Sequence, residues 1–93
     1  MLPEFDWDPE KARLNFSKHG VTLEAACEAV LDPFRVERID DRFDYGEERV
    51  LIIGAGSEDL LFVVTVSYVE DHYRIISARR ANRKERAEYR GEL

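Results

Sequence analysis

The feature that most constrains the fold is the almost unbroken apolar run Leu60–Val69. A run of this length, rich in β-branched residues, is typical of a strand that is buried on one or both faces. The shorter run Val50–Ile53 has the same character. These two segments predict the inner strands of a sheet, and the rest of the chain must supply its cover.

Two helices are predicted before these strands. Asp8 and Pro9 suit the N-cap and first position of a helix, and Gly20 suits its end. Thr22 then suits the N-cap of a second helix, which Asp32-Pro33 ends. Its apolar residues recur at i, i+3, i+4, i+7 and i+8, so this helix should pack against the sheet. The stripe consists of Leu23, Ala26, Cys27, Val30 and Leu31.

The remaining segments complete an α+β order, β-α-α-β-β-β-β-α. Asn82 and Glu85 resemble a capping box, which predicts a short C-terminal helix. Strands joined by short connections pair antiparallel. We therefore expect one domain, residues 1–93, with two N-terminal helices packed on an antiparallel β-sheet in two layers. The other predicted pieces are strands at Phe5–Trp7, Phe34–Ile39 and Tyr73–Ala78, a loop at Asp40–Glu47, and turns at Gly54–Ser57 and Glu70–Asp71.

Composition limits the class of protein. No apolar run reaches the ~20 residues that a membrane-spanning helix needs, and the N-terminus has no features of a secretion signal. Cys27 is alone, so it cannot form an internal disulfide. These features together predict a cytoplasmic protein.

Charge is distributed unevenly along the chain. The net charge is −6, but residues 1–73 carry 17 acidic and 7 basic residues, whereas residues 74–93 carry 7 basic and 3 acidic ones. A basic end on an acidic body can bind phosphate locally without attracting nucleic acid over long distances. An alternative is that these arginines are simply solvated.

The first helix carries an unusual polar stripe. At 100° per residue, Lys11, Asn15, Lys18 and His19 share one face at the border of the core, which suggests a cleft. The competing interpretation is that Asn15 and His19 satisfy buried backbone groups near the helix end.

A second set of candidate residues lies on and after the last strand. With a period of two, Arg79 should share a face with Ile75 and Ser77. Arginine can hold a phosphate through two parallel hydrogen bonds. Tyr89 is either a stacking or proton-transfer group or the apolar anchor of the last helix. Arg80, Arg83 and Lys84 extend the basic set.

Metal and cofactor sites find little support. His19 and His72 are the only histidines, and they lie far apart beside a single cysteine. No zinc-ligand spacing and no glycine-rich phosphate loop are present. We therefore expect neither a metal nor a cofactor.

In combination, several short segments resemble the BrnT family of toxins. They run in order over most of the chain, although each is short. They are Phe5–Pro9 with Lys11, Lys18–Val21, Gly46–Arg49 and Arg74–Ala81, with Glu85, Arg86 and Tyr89 extending the last of them.

The resemblance implies a RelE-like fold, cleavage of RNA and pairing with a DNA-binding, BrnA-like antitoxin. The complex would repress its own promoter, so that operator DNA is bound only indirectly through the antitoxin. A different possibility is a catalytically silent subunit that binds the antitoxin and acts as a co-repressor.

RNA carries its own nucleophile, the 2′-hydroxyl, so cleavage needs proton transfer and charge neutralisation rather than a metal. His19 is the expected proton carrier, because imidazole titrates near neutral pH. Arg79 and Arg49 are expected to clamp the phosphate, with Arg79 acting in catalysis rather than in stability. Glu48 or Tyr89 is the second proton-transfer group, and the sequence leaves both open. The expected contacts to flanking phosphates are Lys11, Lys18, Arg80, Arg83 and Lys84.

Overall fold

The computed structural model of the chain describes residues 4–41, 46–69 and 71–92. It confirms an α+β fold, with the predicted order of helices and strands. A short 3₁₀ turn at Ser57–Asp59 precedes the long apolar strand. The elements are β1 Glu4–Asp6, α1 Pro9–His19, α2 Leu23–Val30, β2 Val36–Ile39, β3 Val50–Ala55, β4 Leu61–Val69, β5 His72–Arg80 and α3 Arg83–Tyr89.

The five strands form one sheet in the order β1-β5-β4-β3-β2. The long apolar strand β4 is central, as its composition predicted. Strands β2 to β5 pair antiparallel, but β1 pairs parallel to β5, so the prediction of a wholly antiparallel sheet is wrong in this one pairing. The reason is connectivity, because two helices follow β1 and no short hairpin fixes its direction.

Helices α1 and α2 cover one face of the sheet. Leu23, Ala26 and Val30 of the predicted stripe are at most 1% exposed, and Cys27 packs at their edge. Leu31 is 38% exposed, because it lies at the C-cap, beyond the last helical residue. The helix approaches β3 very closely: a Cβ atom at Gly54 would collide with the backbone oxygen of Ala29.

Helix α3 covers the opposite face, so the expectation of two layers is wrong and the fold has three. This second face is also apolar, since Ile53 and Val63 are buried beneath α3 and contact Ala81 and Tyr89. An apolar sheet face must be covered by another element, and the C-terminal helix supplies that cover. The predicted capping box of Asn82 and Glu85 is present at its start.

A bulge in β5 changes which residues share a face. The pairing register shifts between Thr65 and Val66, and Ile76 is the additional residue in β5. Ile75 and Ala78 consequently both lie in the core under α1 and α2, although they are three residues apart. An extra residue in one strand of a pair produces this switch.

The bulge corrects the predicted direction of Arg79. Ile75 faces α1 and α2, whereas Arg79 pairs with Val63, whose side chain faces α3. The period-two prediction that Ile75 and Arg79 share a face is therefore wrong. Strand β5 also continues two residues beyond the predicted Ala78, so that Arg80 lies within the strand.

Two other predicted segments are the strand Phe34–Ile39 and the loop Asp40–Glu47. Strand β2 begins at Val36 rather than at Phe34, because Asp32 holds a turn by accepting a hydrogen bond from the backbone N–H of Phe34. Residues 42–45 of the predicted loop Asp40–Glu47 lie outside the described part of the chain. Among the described residues, no helix is both long and apolar enough to cross a bilayer.

Candidate active site

A groove of about 450 Å³ opens where α1 ends beside the end of β5. His19 and Arg80, which are 61 positions apart in sequence, both line it. Both side chains belong to exposed residues, so a ligand in the groove can reach them. We call this cavity the His19 groove. Its walls are formed by His19, Gly20, Val21, Thr22, Ala25, Ser57, Glu58, Leu60, Phe62 and Arg80.

The end of α1 places His19 at the groove. Gly20 adopts a left-handed conformation, with φ of 68°, and its backbone N–H donates to the oxygen of Phe16 at 2.7 Å. Glycine adopts this conformation without the steric cost that a Cβ atom imposes. The helix therefore stops at His19 and leaves the imidazole at its terminus.

Asn15 ties the same helix to β5. Its side-chain amide donates to the carbonyl oxygens of Val21 and Ala78 at 2.9 Å each, and its Oδ1 accepts from the N–H of Ala78 at 3.0 Å. Asn15 is the one buried residue of α1. It satisfies buried backbone groups, as the competing interpretation of the polar stripe held, whereas His19 is exposed and available for chemistry.

The bulge in β5 sets the direction of Arg80. Arg80 pairs with Phe62, and both residues line the groove on the α1 and α2 side of the sheet. Its neighbour Arg79 lies on the α3 side. Two consecutive arginines thus lie on opposite faces of the sheet, at the same end.

Glu58 completes the charged lining and was not predicted from the sequence. It lies in the Ser57–Asp59 turn with φ of 59°, and Asp59 has the same φ. Left-handed backbone is costly for residues other than glycine, so the surrounding structure must maintain it. The only sequence signal was the Gly54–Ser57 turn, which predicted a hairpin connection and no chemistry.

The turn is pressed against α2. A Cβ atom at Gly56 would lie 2.7 Å from the backbone oxygen of Ala25 and 2.7 Å from the Phe62 ring. The N–H of Gly56 donates to the oxygen of Leu60 at 2.8 Å. Close packing on one side and this hydrogen bond on the other fix the position from which Glu58 reaches the groove.

Most of the predicted phosphate contacts are exposed basic residues that lie close to His19 or Arg80 along the chain. Lys18 precedes His19 at the end of α1, while Arg83 and Lys84 open α3 shortly after Arg80. Lys11 lies elsewhere, in a separate groove of about 380 Å³ that it lines with Asp6, Trp7 and Arg74 among others.

Arg79 forms a two-pronged ion pair in this structure. Its guanidinium donates to both carboxylate oxygens of Glu85, at 2.8 and 2.7 Å. This interaction holds the pKa of Glu85 below its usual range, although partial burial opposes the shift. Glu85 also accepts from the N–H of Asn82, so Arg79 supports the capped start of α3.

Tyr89 is half-buried and contacts both Asp32 and the apolar cluster beneath α3. Its hydroxyl donates to Oδ2 of Asp32 at 2.6 Å, and its ring packs in the core beneath α3. The hydrogen bond to Asp32, with burial, raises the pKa of Tyr89 to about 12. The ring contact is the one expected of an apolar anchor, and the alternative role of Tyr89 in proton transfer stays a prediction.

Asp32 accepts more than the tyrosine. Burial disfavours its charge, but hydrogen bonds from Tyr89 and from the N–H groups of Ala55 and Phe34 outweigh that penalty, so its pKa lies below the ordinary range. One carboxylate thus joins the end of α2, the end of β3 and the end of α3.

Arg49 and Glu48 lie outside the His19 groove. Arg49 is half-buried before β3, and its Nε lies 3.6 Å from a carboxylate oxygen of Glu47. Glu48 is exposed and lines a different groove of about 250 Å³ with Glu37 and Arg38. The structure thus brings His19 and Arg80 together and leaves Arg49, Glu48, Arg79 and Tyr89 outside their groove. Within residues 4–41, 46–69 and 71–92, no three His, Cys, Asp or Glu side chains group as a metal site would require.

The described part of the chain thus forms a mixed sheet with helices on both faces, and a histidine and an arginine line a groove at one end of the sheet. The sequence model of the family described as the BrnT ribonuclease toxin of type II toxin-antitoxin systems matches residues 7–85. The chain belongs to this family. Membership makes RNA its target and implies an antitoxin as its partner.

The fold is similar to that of a solved member. The crystal structure of the ribonuclease toxin BrnT from Brucella abortus superposes with a TM-score of 0.64 and 21% sequence identity. The match covers 88% of this chain and 100% of that one. A search among curated protein sequences gives no match. The structural similarity therefore supports the fold, and the match to the family model shows the family.

Proposed function

We propose that the chain is a metal-independent endoribonuclease that cuts RNA in the His19 groove. The observation that supports this most is that His19 and Arg80, from opposite ends of the chain, line the same cavity. Its volume falls within the roughly 300–1,000 Å³ typical of ligand sites. The His19 imidazole and the Arg80 guanidinium in this cavity provide one proton carrier and one phosphate ligand.

RNA supplies the nucleophile for this reaction. The 2′-hydroxyl must lose a proton, the pentacoordinate phosphorus must have its charge neutralised, and the departing 5′-oxygen must gain a proton. His19 gives the proton to the 5′-oxygen. Arg80 donates to the non-bridging phosphate oxygens, where negative charge grows in the transition state.

The other basic residues hold the RNA on either side. Lys18, Arg83 and Lys84 are exposed and would bind flanking phosphates, and Lys11 would bind RNA further along α1. Arg79 joins them only when a phosphate replaces Glu85 as its partner, since both prongs of its guanidinium are occupied. Arg49, just before β3, remains a candidate for the same role.

We further propose that the partner is a cognate, BrnA-like antitoxin, and that both act in the cytoplasm. The antitoxin carries the DNA-binding part, so operator DNA is reached only through it. An acidic or polar segment of the antitoxin would cover Arg80 and the other basic residues proposed to bind RNA, and would block RNA by occupancy. RNA and antitoxin then compete for the toxin, and Arg80→Glu weakens the binding of both. Equal binding of RNA by the free toxin and by the complex would contradict this occlusion.

The experiment that tests the function is expression of the toxin alone, followed by cleavage with purified protein. We expect arrested growth, fragmented cellular RNA, and cleavage of purified RNA that continues in EDTA. A silent co-repressor subunit would instead leave growth and RNA unchanged. Loss of cleavage in EDTA, restored by one divalent metal, would overturn the metal-independent mechanism.

A further inference from the structure

The His19 groove needs a second proton-transfer group, and the residues first considered for it lie elsewhere. Glu48 lines another groove, and the Tyr89 hydroxyl is bonded to Asp32. We propose that Glu58 is the general base that takes the proton from the 2′-hydroxyl, an inference that rests on the proposed ribonuclease function.

The lining of the groove singles out this residue. Its charged or titratable members are His19 from α1, Arg80 from β5 and Glu58 from the Ser57–Asp59 turn. Helix α2 contributes Ala25 and its N-cap Thr22, and β4 contributes Phe62, none of which can remove a proton at neutral pH. Among the described residues of the groove wall, Glu58 thus has the only carboxylate.

The backbone holds Glu58 at the groove at a steric cost. It and Asp59 have left-handed φ values of 59°, and the turn is fixed by the packing of Gly56 against Ala25 and Phe62. Strained conformations of this kind persist where neighbouring contacts over-determine them. The turn therefore holds the backbone of Glu58 beside the groove, within reach of RNA bound there.

The step balances without any further reactant. The Glu58 carboxylate takes the 2′-hydroxyl proton, and the 2′-oxygen forms a bond to phosphorus. The bond from phosphorus to the 5′-oxygen breaks, its electron pair stays on that oxygen, and His19 protonates it. The products are a 2′,3′-cyclic phosphate and a 5′-hydroxyl, with Arg80 neutralising the phosphate throughout.

The test uses the full-length toxin and a labelled single-stranded RNA of mixed sequence. We expect Glu58→Gln to slow single-turnover cleavage by roughly 10²–10⁴-fold without lowering the thermal midpoint. Asp59→Asn is the matched control, because it alters the neighbouring carboxylate of the same left-handed turn and does not line the groove. It should cleave within a few fold of the wild-type rate.

The possible results distinguish a failure of the Glu58 assignment from a failure of the proposed ribonuclease function. Cleavage by Glu58→Gln at the wild-type rate, while Arg80→Ala is inactive, overturns the role of Glu58 and leaves the ribonuclease in place. Unfolding of Glu58→Gln, or an equal loss of rate in Asp59→Asn, assigns the residue to the turn and also overturns the inference. If the wild-type toxin cuts no RNA, the function itself fails.

Discussion

Asn15 is the residue on which the position of His19 depends most directly. Its amide joins the end of α1 to both the Val21 carbonyl and the peptide groups of Ala78. The buried Asn15 side chain satisfies these backbone groups. It makes the hydrogen bonds that a neighbouring strand would otherwise supply.

Replacing this amide should affect stability and activity together. Asn15→Ala leaves buried backbone groups without partners, and each such group costs about 1–3 kcal/mol. We expect a clear fall in the free energy of unfolding, measured by urea titration, and slower cleavage per folded molecule. Ser17→Ala, at an exposed position of the same helix, should change neither. An unchanged unfolding free energy for Asn15→Ala would contradict this role.

Arg79 has two possible roles, and its partner distinguishes them. Arg79→Ala and Glu85→Gln both break the ion pair, and because the Arg79 side chain is 41% exposed we expect each to lower stability by about 1 kcal/mol or less. If Arg79 also clamps phosphate, only Arg79→Ala should slow cleavage, by roughly 10²–10³-fold.

Thermal midpoints and single-turnover rates of these two variants give the answer. Equal small shifts in midpoint with a rate loss confined to Arg79→Ala support the clamp. Wild-type rates in both variants would leave Arg79 with its structural role alone.

At the scale of elements, α3 is held to the sheet mainly at its two ends. Glu85 anchors the start to Arg79, and Tyr89 anchors the end to Asp32. No residue of this seven-residue helix is fully buried. Helices this short are unstable alone, so these tertiary contacts maintain it.

Both anchors predict that α3 loosens in acid. The pKa values of Asp32 and Glu85 are lowered in the folded protein, so their stabilising contribution is complete above the ordinary carboxyl pKa of about 4. It is lost as the pH falls through the lower folded values. Hydrogen exchange, corrected for the intrinsic pH dependence, should show the amides of α3 losing protection before those of β4. Simultaneous loss in both elements would contradict independent loosening.

The elements show which parts of the fold the sequence predicts. Local signals located α1, α2 and α3, because caps such as Gly20 and the Asn82–Glu85 box act within a few residues. The bulge at Ile76 and the parallel partner of β1 depend on contacts between distant segments, which periodicity does not report. The direction of Arg79 was wrong for that reason.

The candidate site was likewise only partly predictable from local signals in the sequence. His19 and Arg80 were recognisable from residue type and resemblance, but their shared groove depends on how α1 crosses the end of β5. Glu58 was missed because an acid in a turn is usually solvated, and only packing of Gly56 against α2 places it in the wall.

For the whole molecule, the uneven charge bears on the proposed binding of RNA by an acidic protein. Residues 1–73 carry a net charge of −10, while the last 20 residues carry +4 and include Arg80, Arg83 and Lys84. Such a surface binds phosphate at short range and gives little long-range attraction. We therefore expect RNA and the antitoxin to contact the end of the sheet where the groove opens.

The cleavage rate of His19→Gln, measured per folded molecule in the presence of EDTA, tests the central claim most directly. His19 is exposed, so the variant should keep the wild-type thermal midpoint while cleavage slows by roughly 10²–10⁴-fold. His72→Gln, which changes the other histidine at the opposite end of β5, should retain the wild-type rate. Wild-type cleavage by His19→Gln would contradict the assignment of RNA cleavage to the His19 groove.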